Sequence, residues 1–223
     1  MKLTIGHLYP DLLNLYGDRG NIQCLRKRLE WRGMEAEVRE FLLEDPIPFQ
    51  ELDIVLLGGG SDREQRIVCQ KLQGIQKDFK AYVEDGGTVI AVCGGYQLLG
   101  ETLDDSQGTE SGHPQTLRGL GLLPTRTVFT AEKRRAQVTA TAAAPFAGAA
   151  LTGRTAVNGA PFCRYADGTP EGCVQNAVFG TYLHGLFDSG ELTEQLAAYL
   201  CRRKGIAPET AAPLAMADYR TQQ

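Results

Sequence analysis

Cys93 stands where a short apolar run, Thr88-Val89-Ile90-Ala91-Val92, gives way to Gly94-Gly95 and then to the helical pattern Tyr96-Gln97-Leu98-Leu99. A run of this length and β-branched content reads as a buried parallel strand. A strand that ends on a nucleophile and turns at once into a helix has the geometry of a nucleophile elbow. Glycine fits such a turn because it tolerates φ > 0 and lets a substrate approach the backbone. The first turn of a helix offers N–H groups and the positive end of its dipole, which favours a thiolate. The competing reading is a core thiol, the common fate of a free cysteine. The residues next to Cys93 do not by themselves separate the two.

Two further glycine-flanked strand ends shift that balance, Gly58-Gly59-Gly60 and Leu183-His184-Gly185. Carboxyl ends of parallel strands converge on one crevice. A thiolate, an imidazole and exposed backbone N–H groups are the parts of a cysteine acyl-transfer site. In that site Cys93 attacks a carbonyl, and His184 holds the thiolate and then protonates the departing amine. The N–H groups of Gly94 and of the Gly59-Gly60 turn form the oxyanion hole, worth roughly 3 kcal/mol per donor. The chain has three histidines. His113 sits in a polar stretch and reads as a surface residue. His7, near the end of the first strand, stays open. His184 is favoured by its strand-end position and its glycine.

The elements that must bring these residues together follow from periodicity. Leu3–Leu8 reads as a strand. Leu15, Ile22, Leu25 and Leu29 recur at helical spacing, interrupted by Gly17-Asp18-Arg19-Gly20-Asn21, so the helix is expected over Asn21–Arg32. Glu35–Phe41 alternates as a second strand, and Asp53–Leu57 is a third. Ser61 or Asp62 caps a helix expected to reach about Glu84. Strands alternating with helices give an α/β fold with a doubly wound, mostly parallel sheet. After Leu103 the texture changes. Asp104–Pro114 reads as a surface loop. Leu120–Phe129, Ala136–Ala142, Gly153–Val157 and Pro161–Tyr165 read as antiparallel strands, Val174–Leu183 as one more strand, and Glu191–Lys204 as an amphipathic helix. With no linker visible, residues 1–205 are expected to form a single domain with a β-rich C-terminal half. Residues 206–223 are a tail, with a short helix around Pro213–Arg220.

Length, charge and cysteine usage narrow the function classes. The chain has 223 residues, a net charge of −4 and a pI near 5.5. That balance argues against a general nucleic-acid binder. No apolar run approaches a membrane span, and the N-terminal segment lacks a signal-peptide core. The six cysteines form no C-x-x-C pair, so zinc-ribbon and thioredoxin-like readings fail. The expectation is a cytoplasmic protein with free thiols and no metal site. There is no G-x-x-x-x-G-K-[ST], and Gly58-Gly59-Gly60 lacks the lysine of a phosphate cradle. No P-loop type of nucleotide site is therefore expected in this chain.

Ala91-Val92-Cys93-Gly94-Gly95-Tyr96-Gln97 and Gly180-Thr181-Tyr182-Leu183-His184-Gly185 resemble the paired signatures of class I glutamine amidotransferase domains of the cobyric-acid-synthase type. Within that group, Leu15-Tyr16-Gly17-Asp18-Arg19-Gly20-Asn21 and Gly58-Gly59-Gly60-Ser61-Asp62-Arg63-Glu64-Gln65 resemble the stand-alone glutaminase subunit of lipid II isoglutaminyl synthase. The likeness spans roughly residues 3–205.

The resemblance implies a flavodoxin-like amidotransferase fold with helices on both faces of the sheet. It implies that Cys93 attacks the side-chain amide of L-glutamine, that ammonia leaves, and that water hydrolyses a glutamyl thioester. Ammonia then passes to a Mur-ligase-like synthetase, which uses ATP and Mg to amidate D-glutamate of lipid II in peptidoglycan synthesis. This chain needs no cofactor, forms a heterodimer and does not enter the membrane, although the acceptor is lipid-linked. Gly59, Ser61 and Gln97 are implied glutamine contacts. Arg134, within Lys133-Arg134-Arg135, is the implied partner of the glutamine α-carboxylate; the alternative is a solvated charge run.

The pattern is broken at two places. Many class I amidotransferases carry a glutamate two residues after the histidine, where this chain has Leu186. Either a dyad suffices or an acidic group comes from elsewhere, the partner included. Leu186-Phe187-Asp188-Ser189-Gly190 looks more like the cobyric-acid enzymes. An amidotransferase component for a corrinoid or other carboxylate is thus the second reading. A non-catalytic partner-binding scaffold is the third, and a cysteine hydrolase of peptides or esters a fourth.

Overall fold

The computed structural model describes residues 2–14, 18–131, 139–143, 145–146, 150–151, 160–188 and 190–206. The expected strand at Gly153–Val157, the tail from 207 onward and Arg134 lie outside the described residues.

The central sheet is built from β1 (Lys2–Leu8), β2 (Glu35–Phe41), β3 (Ile54–Leu57), β4 (Thr88–Val92), β12 (Cys173–Gln175) and β13 (Val178–Thr181). Their order is β12-β13-β4-β3-β1-β2. All neighbours are parallel except the β12–β13 hairpin. The parallel part has the doubly wound flavodoxin-like order expected, with crossover helices on both faces.

Side-chain alternation divides the core into two layers. Leu3, Ile5, Ile54, Leu56, Ile90, Val92 and Phe179 face α1 (Asp18–Trp31) and α5 (Gly190–Arg203). Val55, Leu57, Val89, Ala91 and Val178 face α2 (Asp62–Gly74), α3 (Gln76–Glu84) and α4 (Gly94–Leu99). Strands β3, β4 and β13 are buried at every position. Both of their faces are covered by helices, which is why they read as unbroken apolar runs.

Five expectations need correction. The helix expected over Asn21–Arg32 begins at Asp18 and ends at Trp31. Of the expected antiparallel strand Leu120–Phe129 only Arg126–Val128 is a strand, and it pairs parallel. The helix expected from Asp62 to about Glu84 breaks at Ile75 (φ −110°, ψ 11°). Gly74 costs a helix about 1 kcal/mol relative to alanine. The break also lets Phe79 and Tyr82 turn onto Phe49, with ring centroids 4.9 and 5.5 Å away. Val174–Leu183 is a hairpin rather than one strand. It turns at Asn176, whose φ of 55° is left-handed; asparagine enters that region more readily than other side chains do. The stretch around Asp104–Pro114 is not all loop. β5 (Thr102–Asp105) pairs antiparallel with β6 (Gln115–Arg118) and parallel with β7 (Arg126–Val128). The buried Asp105 carboxylate closes the loop between β5 and β6 by accepting N–H groups from Thr109, Glu110 and Ser111.

The remaining sheet has the order β11-β10-β8-β9, with β8 at Ala140–Ala142, β9 at Ala150–Leu151, β10 at Cys163–Tyr165 and β11 at Pro170–Glu171. It joins the central sheet through Gly172, the residue between β11 and β12.

Candidate active site

Cys93 follows β4 and precedes α4, with φ 52° and ψ −113°. A non-glycine residue there is strained by about 1–3 kcal/mol, and such strain persists only where its surroundings over-determine it. Here the Cys93 N–H donates to Thr181 O at 2.8 Å, and its carbonyl accepts the Gln97 N–H at 3.0 Å. The elbow is thus pinned to β13 on one side and to its own helix on the other.

The two glycines after Cys93 are required by close approach. A Cβ on Gly95 would lie 2.7 Å from Gly58 O and 2.9 Å from Leu57 O. The Gly95 N–H donates to Gly58 O at 2.9 Å. A Cβ on Gly94 would lie 3.1 Å from the Gly60 nitrogen and 2.6 Å from Gln65 Nε2. Gly60 and Gly94, the expected oxyanion-hole pair, therefore face each other across the ends of β3 and β4. Gln65, which is buried, holds the turn by donating from Nε2 to Gly60 O at 3.0 Å. Ser61 caps α2: Glu64 Oε2 accepts its N–H at 2.8 Å and its hydroxyl as well. Gly59 lies in the same turn.

His184 comes three residues past Thr181, which pairs with Val92 next to Cys93. Its loop is held at two places. From the α1 side, the buried Arg28 donates from Nε to Phe187 O at 2.9 Å and from Nη2 to Asp188 O at 2.5 Å. Cys24 Sγ donates to the same Phe187 carbonyl at 2.9 Å. On the chain just before the histidine, the fully buried Glu171 accepts the Tyr182 N–H at 2.8 Å and the Thr181 hydroxyl at 2.7 Å. Thr181 Oγ1 in turn accepts the Leu183 N–H at 3.0 Å.

Leu186, at the position where related enzymes carry a glutamate, is 2% exposed and belongs to the core. Its surroundings are built for an apolar side chain.

Gln97 projects from α4 toward β13, donating from Nε2 to the Tyr182 hydroxyl at 3.2 Å. Its Oε1 is buried and accepts from no described residue. An acceptor in that state suits a donor on a bound substrate. The Tyr182 ring meets Tyr96 edge to face at 5.1 Å. Burial pushes both phenols up, so they stay neutral and shape the wall.

The other thiols are chemically quieter. Burial pushes Cys69 and Cys163 up, and Cys173 up to about 11. None of the six cysteines is in a disulfide. Among the described residues no cluster of His, Cys, Asp or Glu is suited to a metal ion. None of their helices is long and apolar enough to cross a membrane.

His7, left open by the sequence, is 1% exposed, with Nδ1 3.9 Å from Glu40 Oε1. It lines a cavity of about 290 Å³ with Arg19, Gln23, Arg26 and Glu40, and so lies on the α1 side of the sheet. Arg28, Glu171, Thr181 and Tyr182 were missed by sequence reasoning. Tyr182 and Thr181 stood inside the histidine motif. Glu171 offered no local signal, since no motif of the sequence includes it.

These features define an α/β protein of flavodoxin-like order whose sheet edge carries a strained cysteine elbow beside a histidine loop. The chain matches the CobB/CobQ-like glutamine amidotransferase domain over residues 4–192, and it belongs to that family. It is 35% identical over 221 residues to the lipid II isoglutaminyl synthase (glutamine-hydrolyzing) subunit GatD of Staphylococcus aureus, covering 92% of this chain and 87% of that one. It is 41% identical over 174 residues to the cobyric acid synthase of Methylorubrum populi, covering 74% of this chain but 34% of that protein. The chain thus spans about a third of the cobyric acid synthase. Of solved structures, PurLQS from Thermotoga maritima aligns over 90% of this chain and 100% of that one, with a TM-score of 0.58 and 16% identity. A further glutamine amidotransferase crystal structure aligns over 90% of this chain with a TM-score of 0.55 and 17% identity. These two likenesses bear out the fold.

Proposed function

We propose that this chain is the glutaminase subunit of a two-component, cytoplasmic amide-forming enzyme that acts on lipid II. The observation that carries this reading is the end-to-end match with the staphylococcal subunit, which covers most of both chains. The cobyric acid synthase match leaves two-thirds of that protein without a counterpart.

In this mechanism Cys93 Sγ attacks the side-chain carbonyl carbon of L-glutamine. The oxyanion takes N–H bonds from Gly94 and the Gly59-Gly60 turn. His184 delivers a proton to the nitrogen, the C–N bond breaks and ammonia departs, leaving a glutamyl thioester. Water, deprotonated by His184, then attacks the thioester, releasing glutamate and regenerating the thiol. Gln97 Oε1 and Ser61 contact the substrate, and Arg134 holds its α-carboxylate. No cofactor is needed for these steps. A Mur-ligase-like partner carrying ATP and Mg activates the D-glutamate carboxylate that receives the ammonia.

The second reading, service to a corrinoid carboxylate, draws on Leu186-Phe187-Asp188 and the cobyric acid synthase match. The test is ammonia release from L-glutamine by the purified chain, with Cys93→Ala as control and the Mur-ligase-like partner in a second series. Release that requires Cys93 and rises with the partner is expected. No release in either series, with Cys93 also inert to a glutamine-mimicking electrophile, leaves only the scaffold. Stimulation by a corrinoid synthetase instead moves the chain to the second reading.

A further inference from the structure

β13 stops pairing with β4 at Thr181, opposite Val92. The next amide N–H groups, of Tyr182 and Leu183, are not handed on to a neighbouring strand. They are taken by side-chain oxygens: Tyr182 N–H by Glu171 Oε1 and Leu183 N–H by Thr181 Oγ1. The Thr181 hydroxyl completes the chain by donating to Glu171 Oε2, which also accepts from Cys163 Sγ at 3.3 Å. Glu171, Thr181 and Leu183 are each fully buried. A buried carboxylate is retained only where hydrogen bonds satisfy it; this one accepts from Thr181 and Tyr182, two of the three residues before His184, and from Cys163 and the Gly172 N–H.

We infer that Glu171 is a positioning residue for His184, acting through the Thr181 hydroxyl to set where the chain leaves the sheet and where the imidazole meets Cys93. The carboxylate reaches the site from the second sheet, since Glu171 pairs with Cys163 of β10. It holds the backbone before the histidine, where related enzymes place a carboxylate after it. This inference rests on the glutaminase reading for its kinetic test but not for its chemical one.

Thr181→Val removes the relay hydroxyl while keeping the side chain's shape, Thr181→Ser keeps the hydroxyl, and Glu171→Gln replaces an acceptor by a donor. In glutamine hydrolysis, Thr181→Val and Glu171→Gln are expected to lower kcat at least tenfold with KM changed less than threefold. Thr181→Ser should stay within threefold of the parent chain. Independently of glutamine, the rate at which iodoacetamide modifies Cys93, followed by mass spectrometry of its peptide, should fall about tenfold in Thr181→Val and recover in Thr181→Ser. Parent-like alkylation by Thr181→Val, or equal losses in the serine and valine variants, overturns the inference. The expected Cys93 alkylation contrasts among the variants, with no ammonia from the parent chain alone or with the Mur-ligase-like partner and no reaction of Cys93 with a glutamine-mimicking electrophile, overturn the glutaminase reading and leave the positioning role standing.

Discussion

Six cysteines share this chain, and their surroundings decide which one can react. Cys69, Cys163 and Cys173 are buried, which disfavours their thiolates; Cys173 is pushed up to about 11. Cys24 is half-buried, but its thiol is engaged with Phe187 O. Cys93 alone sits at a helix N-terminus on a strained backbone. A glutamine-mimicking electrophile at neutral pH is therefore expected to give one adduct, at Cys93, read by peptide mass spectrometry. Labelling of Cys24 in preference would show that accessibility, not the elbow, governs reactivity. At this scale the sequence was informative. The turn at Cys93 was legible, although its own neighbours left a core thiol open and only the other glycine-flanked strand ends, one of them at His184, shifted the balance. Glu171 was not legible, because a carboxylate acquires its role from what surrounds it in space.

The turn that presents Cys93 depends on two glycines that tolerate change differently. At Gly95 an added methyl meets the fixed carbonyls of Gly58 and Leu57. At Gly94 it meets chiefly the end of the Gln65 side chain, which can swing away at the cost of its bond to Gly60 O. Gly95→Ala is expected to destabilise the protein by about 1–3 kcal/mol, the usual range for overpacking. Gly94→Ala should keep most of the stability but lose glutaminase activity, because it crowds the Gly60 amide. Urea titrations beside ammonia assays separate the two effects, and equal stability losses would contradict this account. Most strands and helices could be placed from periodicity. The boundaries that failed, at Ile75 and Asn176, are places where packing of Phe79 and Tyr82 or a left-handed turn overrode the local pattern.

At the scale of the whole molecule, a buried carboxylate of the second sheet, Glu171, bonds to the end of β13, and its burial has a pH signature. Burial raises the Glu171 carboxyl above its ordinary 4.5. The folded state then binds more protons than the unfolded chain from about pH 4.5 upward to the raised value. Stability should fall as pH rises through that window. Carboxylates of the opposite kind act below it. Hydrogen bonds from Arg39 and Lys2 hold Glu37 down to about 2, so its contribution is present above pH 4.5 and is lost on acidification toward 2. Urea midpoints measured against pH should therefore pass through a maximum, and Glu171→Gln should flatten the alkaline side of it while leaving the acid side unchanged. An unaltered alkaline slope in that variant would assign the fall to other groups.

Sequence alone determined the sheet-forming runs, the doubly wound class, the elbow at Cys93 and the histidine at a strand end. Each of these is written in residues close together along the chain, where period, glycine spacing and residue type act locally. Only the tertiary structure decided that Gly60 faces Gly94, that Gln97 reaches the Tyr182 hydroxyl, and that Glu171 holds the chain just before His184 while Arg28 holds it just after. Those contacts join residues from 10 to 160 positions apart. A hydrogen bond across such a separation leaves no periodic trace in the chain that makes it.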